Sequence, residues 1–180
     1  MKTIFSKPIE KFFIRNLKRK ALDPNTSSEV LKKLAENEDE MIRCIVASHP
    51  NTSEETLSEL AKDESISVCL GVAANLNTSV KTLSEMAKDG NAYICWVVAR
   101  NPQTSAQTLT ELSKAEDSQT RYWVARNRKT PVEILKKLSK DEVPNVRKAA
   151  ENKMDLLSPK MSMETVSRKK ETGGPVKMKI

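Results

Sequence analysis

The apolar positions of this chain fall into two alternating rhythms. From residue 24 onward, a Leu pair three residues apart is followed by a break and then by a Val or Ile with an Ala-rich partner four or five residues on. "PNTSSEVLKKLAENEDEMIRCIVASH" (24–49) is rewritten at once as "PNTSEETLSELAKDESISVCLGVAAN" (50–75), and the register continues through 76–101, 102–127 and 128–152. A fixed period of this kind marks one supersecondary unit stacked on itself. Leu31, Leu57, Leu83, Leu109 and Leu135 make one column, and Leu34, Leu60, Met86, Leu112 and Leu138 the next. This spacing predicts a short helix with a single apolar stripe. After an acidic break, Ile42, Val68, Ile94, Thr120 and Val146, with Val46, Val72, Val98 and Val124 four residues further on, predict a second helix. Neither is long enough to be stable alone, so neighbouring copies must bury each other's stripes.

Polar columns punctuate the apolar ones. Thr26, Thr52, Thr78, Thr104 and Thr130 stand where an N-cap is wanted, and Glu29, Glu55, Gln107 and Glu133 follow at capping-box spacing. Pro131 suits the first helical position. Asn75, Asn101, Asn127 and Asn152 close their repeats where a left-handed cap is expected, with His49 in the same place and read as helix-end chemistry. The expectation is an all-α solenoid of five two-helix repeats over 24–152.

The motif "PNTS-x-E-x-L-x-x-LA-x-D" followed by "V-x-x-x-VA-x-N" resembles the leucine-rich repeat variant family over about 24–152. That resemblance implies a right-handed superhelix without strands, whose second helix is short or of 3₁₀ type. Some members hold an iron–sulfur centre in an N-terminal cysteine cluster. Residues 1–23 contain no cysteine, so no cofactor is carried over.

The ends differ from the body. In "PIEKFFIRNLKRKAL", Ile9, Phe12, Phe13, Leu17 and Ala21 recur at helical spacing among basic residues, as expected of a helix capping repeat one (1–23). Contact of this helix with a membrane surface is the rival use. Residues 153–180 are expected to hold a short cap around Leu156 and Leu157, then a disordered basic tail beyond Pro159.

Of 180 residues, 31 are basic and 24 acidic, for a net charge of +7. The first half of the repeat region (24–75) has four basic and ten acidic residues, whereas 76–152 has thirteen and nine. The solenoid is thus polarised from acidic to basic along its length. No apolar run approaches the ~20 residues of a membrane span, and Lys7, Glu10 and Lys11 interrupt any signal-peptide core, so a cytoplasmic location is expected. Cys44, Cys69 and Cys95 lie in equivalent or adjacent columns without metal-ligand spacing and read as small buried hydrophobes, with no metal site.

No nucleophile–base motif or phosphate-binding glycine loop is present, so the sequence predicts no enzyme. It predicts a binding module that presents an extended surface to a protein partner. A helical-repeat nucleic-acid binder is the alternative. The second-helix face away from the Val stripe carries the candidate site: Tyr93, Trp96 and Arg100, then Tyr122 and Arg126, with Arg121 and Arg147 in an adjoining column that also holds Arg43, Cys69 and Cys95. Aromatics beside Arg suit interface hot spots and equally suit stacked bases or phosphates. Trp123, in the inward column with Ile45 and Val97, is expected in the core.

Overall fold

The structure is a computed structural model in which residues 7–171 are described, with side chains over 12–157. A leading helix, α1 (Lys7–Leu22), is followed by five helix pairs: α2 (Ser28–Ala35) and α3 (Glu40–Ser48), α4 (Glu54–Leu60) and α5 (Ile66–Ala74), α6 (Val80–Lys88) and α7 (Ala92–Arg100), α8 (Ala106–Leu112) and α9 (Ser118–Arg126), α10 (Val132–Leu138) and α11 (Pro144–Glu171). No strand occurs among the described residues, and every second helix is α-helical, not 3₁₀. The chain is an all-α solenoid of two-helix repeats.

Both predicted columns form its core. The five Leu of the first helices are fully buried, as are Ile42, Val68, Val72, Val98, Val124 and Val146 of the second. Burying a Leu contributes about 1.5–3 kcal/mol, which the short helices could not gain singly. Second helices of successive repeats pack tightly on one another, while first helices touch only lightly. The closer layer of a bent stack lies inside the bend, so the second helices form the inner layer. Gly71 lets α5 approach α3, because a Cβ there would stand 3.0 Å from Ala47 Cβ and from Ser48 Oγ.

The polar columns do different work from that expected. The N-cap is the Ser after each Thr: Ser53, Ser79 and Ser105 accept from the amides of Thr56, Thr82 and Thr108 at 3.3, 3.1 and 3.0 Å. The buried Thr column instead reaches backward, Thr52 and Thr78 donating to the carbonyls of Val46 and Val72 at 2.5 and 2.6 Å. It thereby satisfies orphan acceptors at the end of the preceding helix. The expected capping box does not form, since a cap one residue later places Val30, Thr56, Thr82, Thr108 and Ile134 three residues on, none of them Glu or Gln. Pro131 is the N-cap residue of α10.

Asn75, Asn101 and Asn127 are likewise not left-handed; their backbones are extended, with φ between −68 and −65°. Each buried amide bridges repeats. Asn101 Nδ2 donates to the carbonyls of Ala73 and Asn75 at 2.8 and 3.0 Å, and Asn127 repeats the pattern on Ala99 and Asn101. The Oδ1 of each accepts the amide two residues on. His49 imitates this: Nε2 lies 3.0 Å from the Asp23 carbonyl, and Nδ1 accepts from the Asn51 amide at 3.0 Å. These partners assign the proton to Nε2.

At the first end, α1 covers repeat one by burying Ala21 and packing Leu17, with Lys18 paired to Asp39 at 2.9 Å. Phe12 and Phe13 do not join this stripe; they are 64% and 62% exposed. Ile9's side chain lies outside the described residues. At the far end, α11 does not stop at Asn152 but runs to Glu171, past Pro159, where the sequence suggested that order ends. Leu157 packs against the core and Leu156 is exposed. Residues 172–180 lie outside the described residues.

Candidate partner-binding face

The seven predicted site residues separate into two groups. Tyr93, Trp96, Arg100, Tyr122 and Arg126 lie on the inner helices α7 and α9. Tyr93 is 65% exposed, Arg100 and Arg126 are exposed, and Trp96 and Tyr122 are half-buried against the core.

Arg121 and Arg147 do not share this face; they serve the edge where first helices turn into second. Arg121 is buried, and its Nε and Nη2 grip Asp141 of the next repeat at 2.7 and 3.0 Å while Nη1 donates to the carbonyls of Ala115 and Glu116 at 2.9 and 2.8 Å. Arg43 does the same with Asp63, at 2.6 and 3.0 Å, and with the carbonyls of Asn37 and Glu38. Arg147 Nη1 reaches the carbonyls of Asp141 and Glu142 at 2.6 and 2.9 Å. Hydrogen bonding to arginine holds the Asp63 and Asp141 carboxyls below the usual carboxylate range and raises Arg43 and Arg121. Arg43 and Arg121 are inter-repeat clamps and Arg147 ties the turn of its own repeat, so Arg100, Arg121, Arg126 and Arg147 do not form one strip.

Trp123 was the residue missed. It is half-buried and forms the platform of the face: Arg100, one repeat earlier, lies over its ring at 5.2 Å, and Arg126 at 5.8 Å. Arg126 also lies 5.6 Å from the Tyr122 ring, with Nη1 donating to the phenolic oxygen at 3.3 Å. The Tyr122 and Trp123 rings meet edge to face at 5.5 Å. A sequence signal existed: the column Ile45, Gly71, Val97, Trp123 holds a side chain far too large for a position that elsewhere admits glycine. Beside this cluster, a groove of about 530 Å3 between α9 and α11 is lined by Gln119, Tyr122, Arg126, Asn145, Lys148 and Asn152. No carboxylate of the described residues pairs with Arg100, Arg126 or Lys148. Arg100 and Arg126 are held by rings, a favourable geometry worth about 0.5–2 kcal/mol each that leaves their charge uncompensated.

The buried thiols of Cys69 and Cys95 are pushed up first by burial, then by neighbouring carboxylates, away from reactive thiolate character. No helix among the described residues is long and apolar enough to cross a membrane.

Stacked two-helix repeats with a buried polar ladder and a tight inner layer define a helical-repeat protein. Among solved structures the chain is similar to a leucine-rich repeat variant described as having a novel repetitive structural motif, at 26% identity and a TM-score of 0.56 over 83% of this chain. The match spans 66% of that protein's chain. No family model and no curated protein matches.

Proposed function

We propose that the protein is a non-catalytic binding module whose inner face over repeats three to five engages a protein partner. The observation that carries this reading is the unpaired Arg100 and Arg126, fixed on Trp123 and Tyr122 beside the groove that continues to Lys148. Rigid aromatics with preordered cations are the composition of interface hot spots, and their side-chain ordering is met before binding. The complementary partner is an acidic segment with apolar side chains to set against Tyr93 and Trp96.

Nucleic acid is the second reading, because arginine beside aromatic rings also suits phosphates and bases. The diversion of Arg121 and Arg147 into internal clamps breaks the cationic strip that a phosphate backbone would follow, which favours protein. Arg100→Glu with Arg126→Glu should abolish partner capture and leave the melting temperature within a few degrees. Salt separates the classes: nucleic-acid affinity falls roughly a thousandfold or more between about 50 and 200 mM for six or so phosphate contacts, and a partner anchored on rings loses far less. Undiminished capture by the double variant would remove this face as the site.

A further inference from the structure

The two sides of α1 do different work. Leu17 and Ala21 turn toward repeat one, and Lys18 reaches Asp39, at the start of α3, at 2.9 Å. On the far side Phe12, Arg15, Arg19 and Leu22 follow one another at helical spacing, which sets them on one stripe along about 15 Å of helix. Phe13, Asn16 and Lys20 form the adjoining stripe. All of these residues are exposed, Phe12 at 64%, Phe13 at 62% and Leu22 at 64%.

A lid needs only its inward side, and an exposed Phe–Phe pair adds nothing to covering the solenoid end. Large apolar residues grouped in water mark a contact surface. α1 packs on α3 and more lightly on α2, and its outer side stays open. The charge there is one-sided. Residues 1–23 hold seven Lys or Arg and two acids. Lys18 is taken by Asp39, whereas Arg15, Arg19 and Lys20 enter no ion pair among the described residues. Asp23, just beyond the helix, accepts the Asn25 amide at 2.9 Å.

Charge selects an anionic occupant, and the apolar groups select among anionic ones. Two copies joined through this side would set Arg15 and Arg19 against like charge. A single-stranded nucleic acid would satisfy the guanidiniums and stack on a phenyl ring, but it offers no apolar phase to Leu22, about 15 Å along the helix from Phe12. The surface of an anionic bilayer takes both at once: Phe and Leu enter the acyl boundary while the long Arg and Lys stems keep their charged heads at the phosphates. The solenoid's own charge then sets the pose. α1 stands at one end of the stack, and the ten acidic against four basic residues of 24–75 oppose lying flat on such a surface. Docking is therefore end-on and leaves the inner face of repeats three to five open.

We propose that the outer side of α1 docks the protein on an anionic membrane surface, with Phe12, Phe13 and Leu22 in the acyl boundary and Arg15, Arg19 and Lys20 among the headgroups. This surface is separate from the Arg–aromatic face and does not depend on it.

The test is flotation of the intact protein with phosphatidylcholine vesicles that contain about 30 mol% phosphatidylserine, against vesicles of phosphatidylcholine alone. Binding to the anionic vesicles should be at least about tenfold tighter, since each cation near such a surface contributes roughly fivefold, and it should fall steeply toward about 1 M salt. Phe12→Ser with Phe13→Ser should lower it about tenfold or more, because each ring removed leaves apolar area in water. Arg15→Gln with Arg19→Gln should lower it by a similar factor on anionic vesicles and change nothing on neutral ones. These side chains are exposed, so the melting temperature should stay within a few degrees. Should a double variant melt early, Phe12→Ser and Arg19→Gln alone take its place, each with a several-fold loss expected. Arg100→Glu with Arg126→Glu should float as the wild type does, which keeps this result apart from that for the inner face. Flotation that ignores phosphatidylserine, or that survives loss of both phenylalanines and so belongs to the basic C-terminal residues, would overturn the proposal. So would Phe12-dependent binding of single-stranded RNA in place of vesicles, or Phe12-dependent self-association without lipid.

Discussion

At the turn that closes each repeat, one buried side chain satisfies backbone groups of three segments at once. Asn101 donates to two carbonyls of the previous repeat and accepts from the Gln103 amide. Asn101→Ala would orphan buried carbonyls and is expected to cost about 1–3 kcal/mol, seen as a lower midpoint in urea unfolding. His49 makes one donor and one acceptor contact of the same kind. His49→Asn should therefore hold stability within about 1 kcal/mol, whereas His49→Ala should lose as much as the Asn101 variant; equal losses from both His49 variants would show that the imidazole does something asparagine cannot. The sequence revealed that Asn, His and Thr stand at helix ends, because period and residue type are visible in it. Which end each serves was not, since the Thr78 hydroxyl and the Asn101 amide spend their bonds on carbonyls that only the stacked fold brings near.

Between elements, apolar columns set which helices stack, and arginine clamps lock their edges. The Asp63 and Asp141 carboxyls are depressed in the folded state, so their contribution is present above the unfolded carboxylate range near pH 4 and is lost as pH falls through the lower folded value. Acid unfolding of the wild type should steepen below about pH 4, and Arg43→Met with Asp63→Leu should flatten that slope; an unchanged slope would show that these clamps do not set acid sensitivity. Gly71→Ala pits a helix-propensity gain of about 1 kcal/mol against overpacking at Ala47 that costs about 1–3 kcal/mol. A small net loss is expected by thermal melting. The arginines of the clamps and of the binding face are alike in sequence, because Arg121 and Arg126, five residues apart on α9, differ only in which edge they face. The partner that separates them, Asp141, lies 20 residues beyond Arg121. Trp123 was misread for a related reason: its column is buried where it holds Val97 and half-open where it holds a ring that no inward space accommodates.

For the whole molecule, the ends and the polarity of the inner face matter most. Deleting residues after Pro159 should leave the melting temperature nearly unchanged, while deleting 1–22 should lower it or cause aggregation, because Leu17 and Ala21 leave repeat one uncovered when removed. Equal effects would mean that α1 is not the lid. The repeat solenoid was legible from period alone, and so was the placing of Tyr93, Trp96 and Arg100 along one side of α7, because both follow from 3.6-residue spacing. Which layer lies inside was not, since curvature depends on the unequal packing of the two helix sets. The central claim is that partners meet the inner face of repeats three to five, and site-specific photocrosslinking tests it most directly. A crosslinker at exposed Tyr93 on α7 and another at exposed Lys81 on α6 place one probe on each helix layer. Nuclease-resistant, protease-sensitive adducts at position 93, lost with Arg100→Glu and Arg126→Glu and absent at position 81, are predicted. Adducts concentrated at position 81, or nuclease-sensitive adducts at 93, would contradict it.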